Sequence, residues 1–246
     1  VFLPLTAFLV RGFGWRRAVG LLAGAVAVST FTAGRFALRG LRDAAVVPIT
    51  APASPRPLEA PGRGLSFGLI LAVFSVAGLA APAFTANLVP ALGERAVSPT
   101  TAAVLGGLLG VMQVPGRALL MSGRLAGAPT QLALISLLLQ AAGLVALGVV
   151  TSVPVLGAAI AVFGVGAGLS TLVRPHLVQT LYGMERAGSL NGQLARSQQL
   201  ARAAGPILAG WLATIVGYGG VFLLLGAVIA ALAAVLHRSA GAGSPS

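Results

Sequence analysis

PLTAFLVRGFGWRRAVGLLAGAVAVSTFTAGR at residues 4–35 and PILAGWLATIVGYGGVFLLLGAVIAALAAVLHR at residues 206–238 follow one pattern. With one gap allowed, Pro4 falls on Pro206, Ala7 on Ala209, Gly14-Trp15 on Gly217-Tyr218 and Arg35 on Arg238. Each copy reads as the end of an apolar helix, a short Gly-aromatic turn, a second apolar helix and a closing Arg. Apolar segments repeated in the same orientation are the mark of a duplicated membrane transporter, its halves related by an axis along the membrane normal. The first copy opens in mid-helix at Val1. The repeat arithmetic therefore predicts that roughly 140 further residues precede it.

Composition leads to the membrane independently. The chain has 246 residues, 57% of them hydrophobic and 8% charged, with a mean hydropathy of +0.96. So few polar side chains do not cover a soluble surface. The net charge of +12 comes from sixteen basic residues, all Arg, against four acids. Arg without Lys, amid abundant Ala and Gly, points to a high-GC bacterial genome. The Arg residues gather in short gaps between apolar runs, which makes them a topology signal and argues against nucleic-acid binding. With no Cys, thiol catalysis, disulfides and thiolate metal sites are excluded. His176 and His237 have no metal-site neighbourhood. No nucleophile–base pair or phosphate loop is present, so neither an enzyme nor a cofactor is expected.

Outward from the repeat, residues 1–10 read as a helix end. Full apolar runs follow at 15–37, 66–92, 100–121, 131–150, 153–173, 190–216 and 218–236. Each approaches or exceeds the roughly 20 residues that cross hydrocarbon as a helix. Between them, residues 39–65 carry Pro48, Pro52, Pro55, Pro57 and Pro61, a composition that reads as an extended cytoplasmic linker. The expected organisation is the end of one helix bundle at 1–38, the linker at 39–65, a six-helix bundle at 66–238 and a tail at 239–246. With the linker inside the cell, nine Arg fall on the cytoplasmic side (35, 39, 42, 56, 63, 124, 174, 186, 238) and four outside (11, 16, 17, 95). That bias places the C-terminus in the cytoplasm. Trp15, Trp211 and Tyr218 suit an interfacial belt. Small-residue stripes at Gly106/Gly110, Gly164/Gly166/Gly168 and Ala201/Gly205/Ala209 read as close-packing surfaces.

Ionisable residues inside such helices are costly, roughly 2.5–3.5 kcal/mol for a central Arg on insertion scales, and so mark function. Arg117 and Arg202 stand out. Each has an amide four residues earlier, Gln113 and Gln198, on the same helix face. A guanidinium fork beside an amide suits a carboxylate, which accepts two parallel hydrogen bonds. Either Arg also has the simpler option of pairing with an acid elsewhere or snorkelling to the interface. Asn87 lies between Pro82 and Pro90 and is placed either at the cavity or in a bond to a neighbouring helix. Arg196 and Arg124 read as gating or interface residues, and His176 and Glu185 as loop residues after Arg174-Pro175. Asp43, Glu59, Glu94 and Glu185 all fall in loops or the linker, so no acid of this chain is placed to carry a proton across.

The PLTAFLV…GFGWRR turn resembles the junction of the fifth and sixth helices of the major facilitator superfamily. ANLVPALGERAVSPTTAAVLGGLLGVMQVPGR resembles its seventh-to-eighth helix region, and NGQLARSQQLARAAGPILAGWL its eleventh helix. The resemblance implies an all-α polytopic membrane protein: the last two helices of the N-terminal bundle followed by the complete C-terminal bundle. It also implies alternating-access transport of a small molecule across a bacterial inner membrane, by a full-length protein acting as a monomer. Within the superfamily the chain is similar to monocarboxylate and oxalate–formate porters, where an Arg on the eighth helix and a cationic residue on the eleventh hold substrate carboxylates. Arg117 in VPGR matches the first and Arg202 in ARAAGP the second, with Arg in place of Lys. Two departures stand beside this: Gln113 replaces the acid expected before the eighth-helix Arg, and SGRLAG lacks the Asp of the following loop. The alternative is an efflux permease for drugs or sugars, its membrane Arg residues structural or gating.

Overall fold

The computed structural model describes residues 2–43, 65–122 and 128–241, apart from the side chains at 2–4, 7 and 36–43. All five of its elements are helices: α1 (Phe2–Asp43), α2 (Phe67–Gly93), α3 (Pro99–Met121), α4 (Pro129–Val149) and α5 (Val153–Gly241). All five contain stretches long and apolar enough to cross a membrane. A backbone in hydrocarbon must satisfy its own N–H and C=O groups, and a helix does this within one segment. Arg124 and residues 44–64, most of the expected linker, lie outside the described residues.

Two elements are chains of shorter limbs joined by one glycine. The break in α1 is Gly14, with φ 76° and ψ 159°. In α5 the breaks are Gly183 (φ 75°, ψ 161°) and Gly217 (φ 70°, ψ 163°). Gly14 and Gly217, aligned by the repeat, thus adopt the same conformation, one open essentially to glycine alone. A Cβ built at any of the three meets nothing within 4 Å. Backbone strain, not space, demands glycine there.

The two compact units are Phe2–Ala60 and Pro61–Ser246. In the first, α1 carries Phe8, Phe13, Trp15 and Phe31 each more than half exposed, as lipid-facing or partner-facing side chains are. Arg16 lies 5.5 Å from the Trp15 ring centroid and Arg35 5.6 Å from that of Phe31.

In the second unit, packing gives the direction of every limb. The first limb of α5 (153–182) runs parallel to α3, since Gly157 faces Leu105, Gly164 faces Leu109 and Met112, and Gly168 faces Gln113. It runs antiparallel to α4, with Gly143 against Ala159 and Phe163, and Gly166 against Ser136 and Gln140. The middle limb (184–216) follows α2, because the Ser75 and Ser197 hydroxyls share a 2.7 Å hydrogen bond and Gly205 sits on Leu79. The last limb (218–241) runs antiparallel to α4, with Gly148 against Leu223 and Gly226 against Ala141. At the centre, Phe84 of α2 packs on Phe163 and Phe222, ring centroids 5.8 and 5.6 Å apart. The result is an alternating up-and-down bundle of six limbs. Close contact through small residues holds it, since apolar burial gives no driving force between helices in lipid.

Boundaries differ from expectation in two elements: α1 runs on to Asp43, past the expected start of the linker at residue 39, and α5 departs at Arg174. The run at 153–173 does not end at Arg174-Pro175; the helix continues to residue 182 and resumes at 184. The residue before Pro is biased away from helix, which made this pair read as a loop. Leu177 and Val178 are fully buried and keep the apolar face going, and membrane helices tolerate an internal Pro. Arg174 is therefore a helix residue. Glu185 and His176 are exposed positions on helices.

Between α2 and α3, Val97 N–H bonds Leu92 C=O and Ala96 N–H bonds Gly93 C=O. This is a Schellman turn with Ala96 at the left-handed position, φ 56°. The turn brings Arg95 over the end of α4, where it donates to Val150 C=O (2.7 Å) and Leu147 C=O (2.6 Å) and satisfies helix-end acceptors. Burial lowers the Arg95 pKa, while Glu94 pulls it upward.

Glycine exchanges test these conformations in opposite directions. Gly217→Ala should lower stability by about 1–3 kcal/mol despite open space. Ala96→Gly should raise it by about 0.5–1 kcal/mol. Thermal unfolding of the detergent-purified protein reads both, and an unchanged Gly217→Ala melting point would refute the backbone argument.

Candidate functional site

Limb 1 of α5 owes its position to a glycine stripe with two faces. Gly164 and Gly168, four residues apart, share the face toward α3. Gly166 points the other way, where its Cβ would lie 2.7 Å from Ser136 C=O on α4. On the α3 side a Cβ at Gly168 would overlap the Gln113 carbonyl oxygen, and one at Gly116 the Val165 carbonyl oxygen. The limb is thus wedged between two helices at backbone contact. Because α3 and this limb run parallel, residues that follow the contact on each, Arg117 and Arg174, arrive at the same place.

That place is a cavity of about 250 Å³. Its lining includes Arg117 and Gln113 from α3, Gln140 from α4, Arg174, Thr171 and Ser170 from limb 1, and Gln198 and Arg202 from the middle limb; Ala77, Gly78 and Ala81 of α2 complete one wall. Among the described residues no acid belongs to the lining. Small side chains on α2 and limb 1 create the room and long polar ones reach into it. Gly78 leaves space for Gln198, whose Cγ would lie 3.4 Å from a Cβ there.

The polar contacts are specific. Arg117 Nη2 donates to Gln113 Oε1 at 3.4 Å, a long bond on an exposed pair. Gln198 Oε1 accepts from Arg174 Nη1, and Gln198 Nε2 donates to Phe74 C=O at 2.8 Å. The amide is thereby fixed at both ends. Arg174 Nε is buried and has no hydrogen-bond partner. Arg202 lines the same cavity as Arg174. Buried Gln140 donates to Ser136 C=O of its own helix at 3.1 Å.

Of the residues singled out from sequence, Gln113, Arg117, Gln198 and Arg202 line this one cavity. The expected Gln113–Arg117 pairing is present, but Gln198 is bonded to Arg174, not to Arg202 four residues on. Asn87 is not part of the lining. It is buried and donates to Ala83 C=O (2.9 Å) and Pro206 C=O (3.3 Å), tying α2 to the middle limb. Arg196 is exposed and outside the lining, and Arg124 lies outside the described residues. Arg174 and Gln140 are additions. The signal for Arg174 was the apolar pattern continuing at Leu177 and Val178 beyond the Pro. Among the described residues no group of three His, Cys, Asp or Glu is placed to hold a metal.

Such an arrangement offers a compact anion several guanidinium donors, one of them a buried Nε–H without a partner. The amides differ in consequence. Gln198→Leu, which takes the acceptor from Arg174 and the cross-helix donor from Phe74 C=O, should cost about 1–3 kcal/mol. Gln113→Leu, losing one long exposed bond, should change stability by less than about 0.5 kcal/mol. Thermal unfolding of the two variants side by side checks the order, and equal losses would contradict the geometry. Compared with known protein families and with characterised proteins, the chain matches none.

Proposed function

We propose that this chain belongs to a secondary transporter of the major facilitator type that carries a small organic anion, with Arg117 and Arg202 holding its carboxylate. One observation carries the reading. A small cavity among helices of membrane-spanning length is lined, among the described residues, by three Arg and no acid. Among the described residues of the lining none supplies these guanidiniums with a counter-charge, and an anion can do so. Binding it neutralises the cavity, which lowers the electrostatic cost of closing apolar helices around it.

The resemblance of the VPGR and ARAAGP segments to carboxylate porters supports the same assignment. The bilayer in question is a bacterial inner membrane, with the C-terminus in the cytoplasm. Setting aside Arg174, which lines the cavity, leaves eight Arg on the cytoplasmic side against four outside, so the bias keeps its direction. The protein binds and moves its substrate without bond chemistry.

Uptake of labelled oxalate, formate and lactate into proteoliposomes bearing the protein tests this. Arg202→Gln and Arg117→Gln should each lower uptake at least about tenfold, the scale of one charge-assisted hydrogen bond. Normal uptake by either variant removes that residue from the site. Absence of any anion uptake by the unaltered protein would favour efflux of drugs or sugars, with the arginines structural or gating.

A further inference from the structure

We infer that Arg174 is a specificity-determining residue of this cavity and that it selects anions carrying two negative charges over those carrying one. The inference rests on the anion reading above and deepens it with a residue on a different helix.

Charge is the first argument. Arg117, Arg174 and Arg202 line one cavity with no acid among the described lining residues. A monovalent ligand leaves two positive charges uncompensated; a divalent one leaves a single charge. Attraction to the arginines grows with the ligand's charge, and that difference favours the divalent ligand.

Hydrogen bonding is the second. Arg117 and Arg174 each donate to the carbonyl oxygen of an amide, Gln113 Oε1 and Gln198 Oε1 respectively. Those neutral oxygens occupy positions that anionic oxygens would fill with stronger, charge-assisted bonds. Arg174 also holds a spare donor, the buried Nε–H with no partner. A buried N–H left unsatisfied is costly, and a carboxylate reaching the Nε side of the guanidinium fork satisfies it. Gln198 is anchored through Nε2 to Phe74 C=O, so the guanidinium is held in place before the ligand arrives.

Volume is the third. About 250 Å³ lies below the range typical of drug-sized ligands. It suits a short dicarboxylate, one carboxylate engaging Arg174 and the other Arg117 or Arg202.

The test is equilibrium binding of succinate and butyrate, two acids with the same number of carbons, to the purified protein at neutral pH. The unaltered protein should bind succinate at least about tenfold tighter than butyrate. Arg174→Gln should bring the two affinities to within about threefold, mostly by weakening succinate, while butyrate binding persists through Arg117 and Arg202. Gln198→Glu gives a second route. It supplies Arg174 with an internal carboxylate in the same place and should erase the preference equally, without leaving that guanidinium unpaired. A folded variant of either kind that keeps the full preference overturns the inference. If the unaltered protein binds both acids equally, the inference falls while the anion reading stands. If it binds neither, both fall.

Discussion

The backbone contact between α3 and the first limb of α5 is the constraint on which the rest of the site depends. Gly168 against Gln113 and Gly116 against Val165 bring two helices closer than any side chain would allow. Parallel helices held at that distance deliver Arg117 and Arg174 to one cavity wall. The same limb reaches α4 through Gly166, so one stripe fixes the cavity on two sides. In lipid, where apolar burial gives no drive for association, close contact of this kind supplies the dispersion energy that a water-driven core would otherwise give. Structure and site share one cause.

That shared cause explains why polar side chains are tolerated where they stand. Asn87 spends its amide protons on Ala83 and Pro206 carbonyls, the latter also at a helix contact. Gln140 and Ser136 turn back on their own helix. These groups are satisfied locally and act as fasteners. Arg117 and Arg174 at the cavity differ: their acceptors are neutral amide oxygens, and Arg174 keeps one donor without any. The distinction between a fastener and a binding group here is whether hydrogen-bonding capacity has been used up inside the protein.

Much of this was legible in the sequence. Apolar runs of spanning length gave the helices, because lipid leaves a backbone few other choices. The Gly14 and Gly217 turns were legible because a pair of aligned Gly-aromatic dipeptides has little other purpose. Gln113 and Arg117 were legible because a spacing of four fixes a shared face. Arg174 was not, because the apolar run reads as ending at residue 173, and packing of Leu177 and Val178 carries the helix on beyond it. The partner of Gln198 was not legible either. Spacing within one helix offers Arg202, whereas the bond that forms reaches 24 positions back along the chain to another limb. Sequence periodicity speaks for one helix at a time and is silent on which faces meet.

The single-residue links at Gly183 and Gly217 have a mechanical consequence. A longer loop lets one helix slide along its axis without disturbing the next. A one-glycine joint permits swivelling but transmits axial displacement almost without slack. The three limbs of α5 therefore form a linkage with pivots at alternate ends. Any lengthwise shift of Arg174 is handed through Gly183 to the limb bearing Gln198 and Arg202, keeping the cationic groups in step.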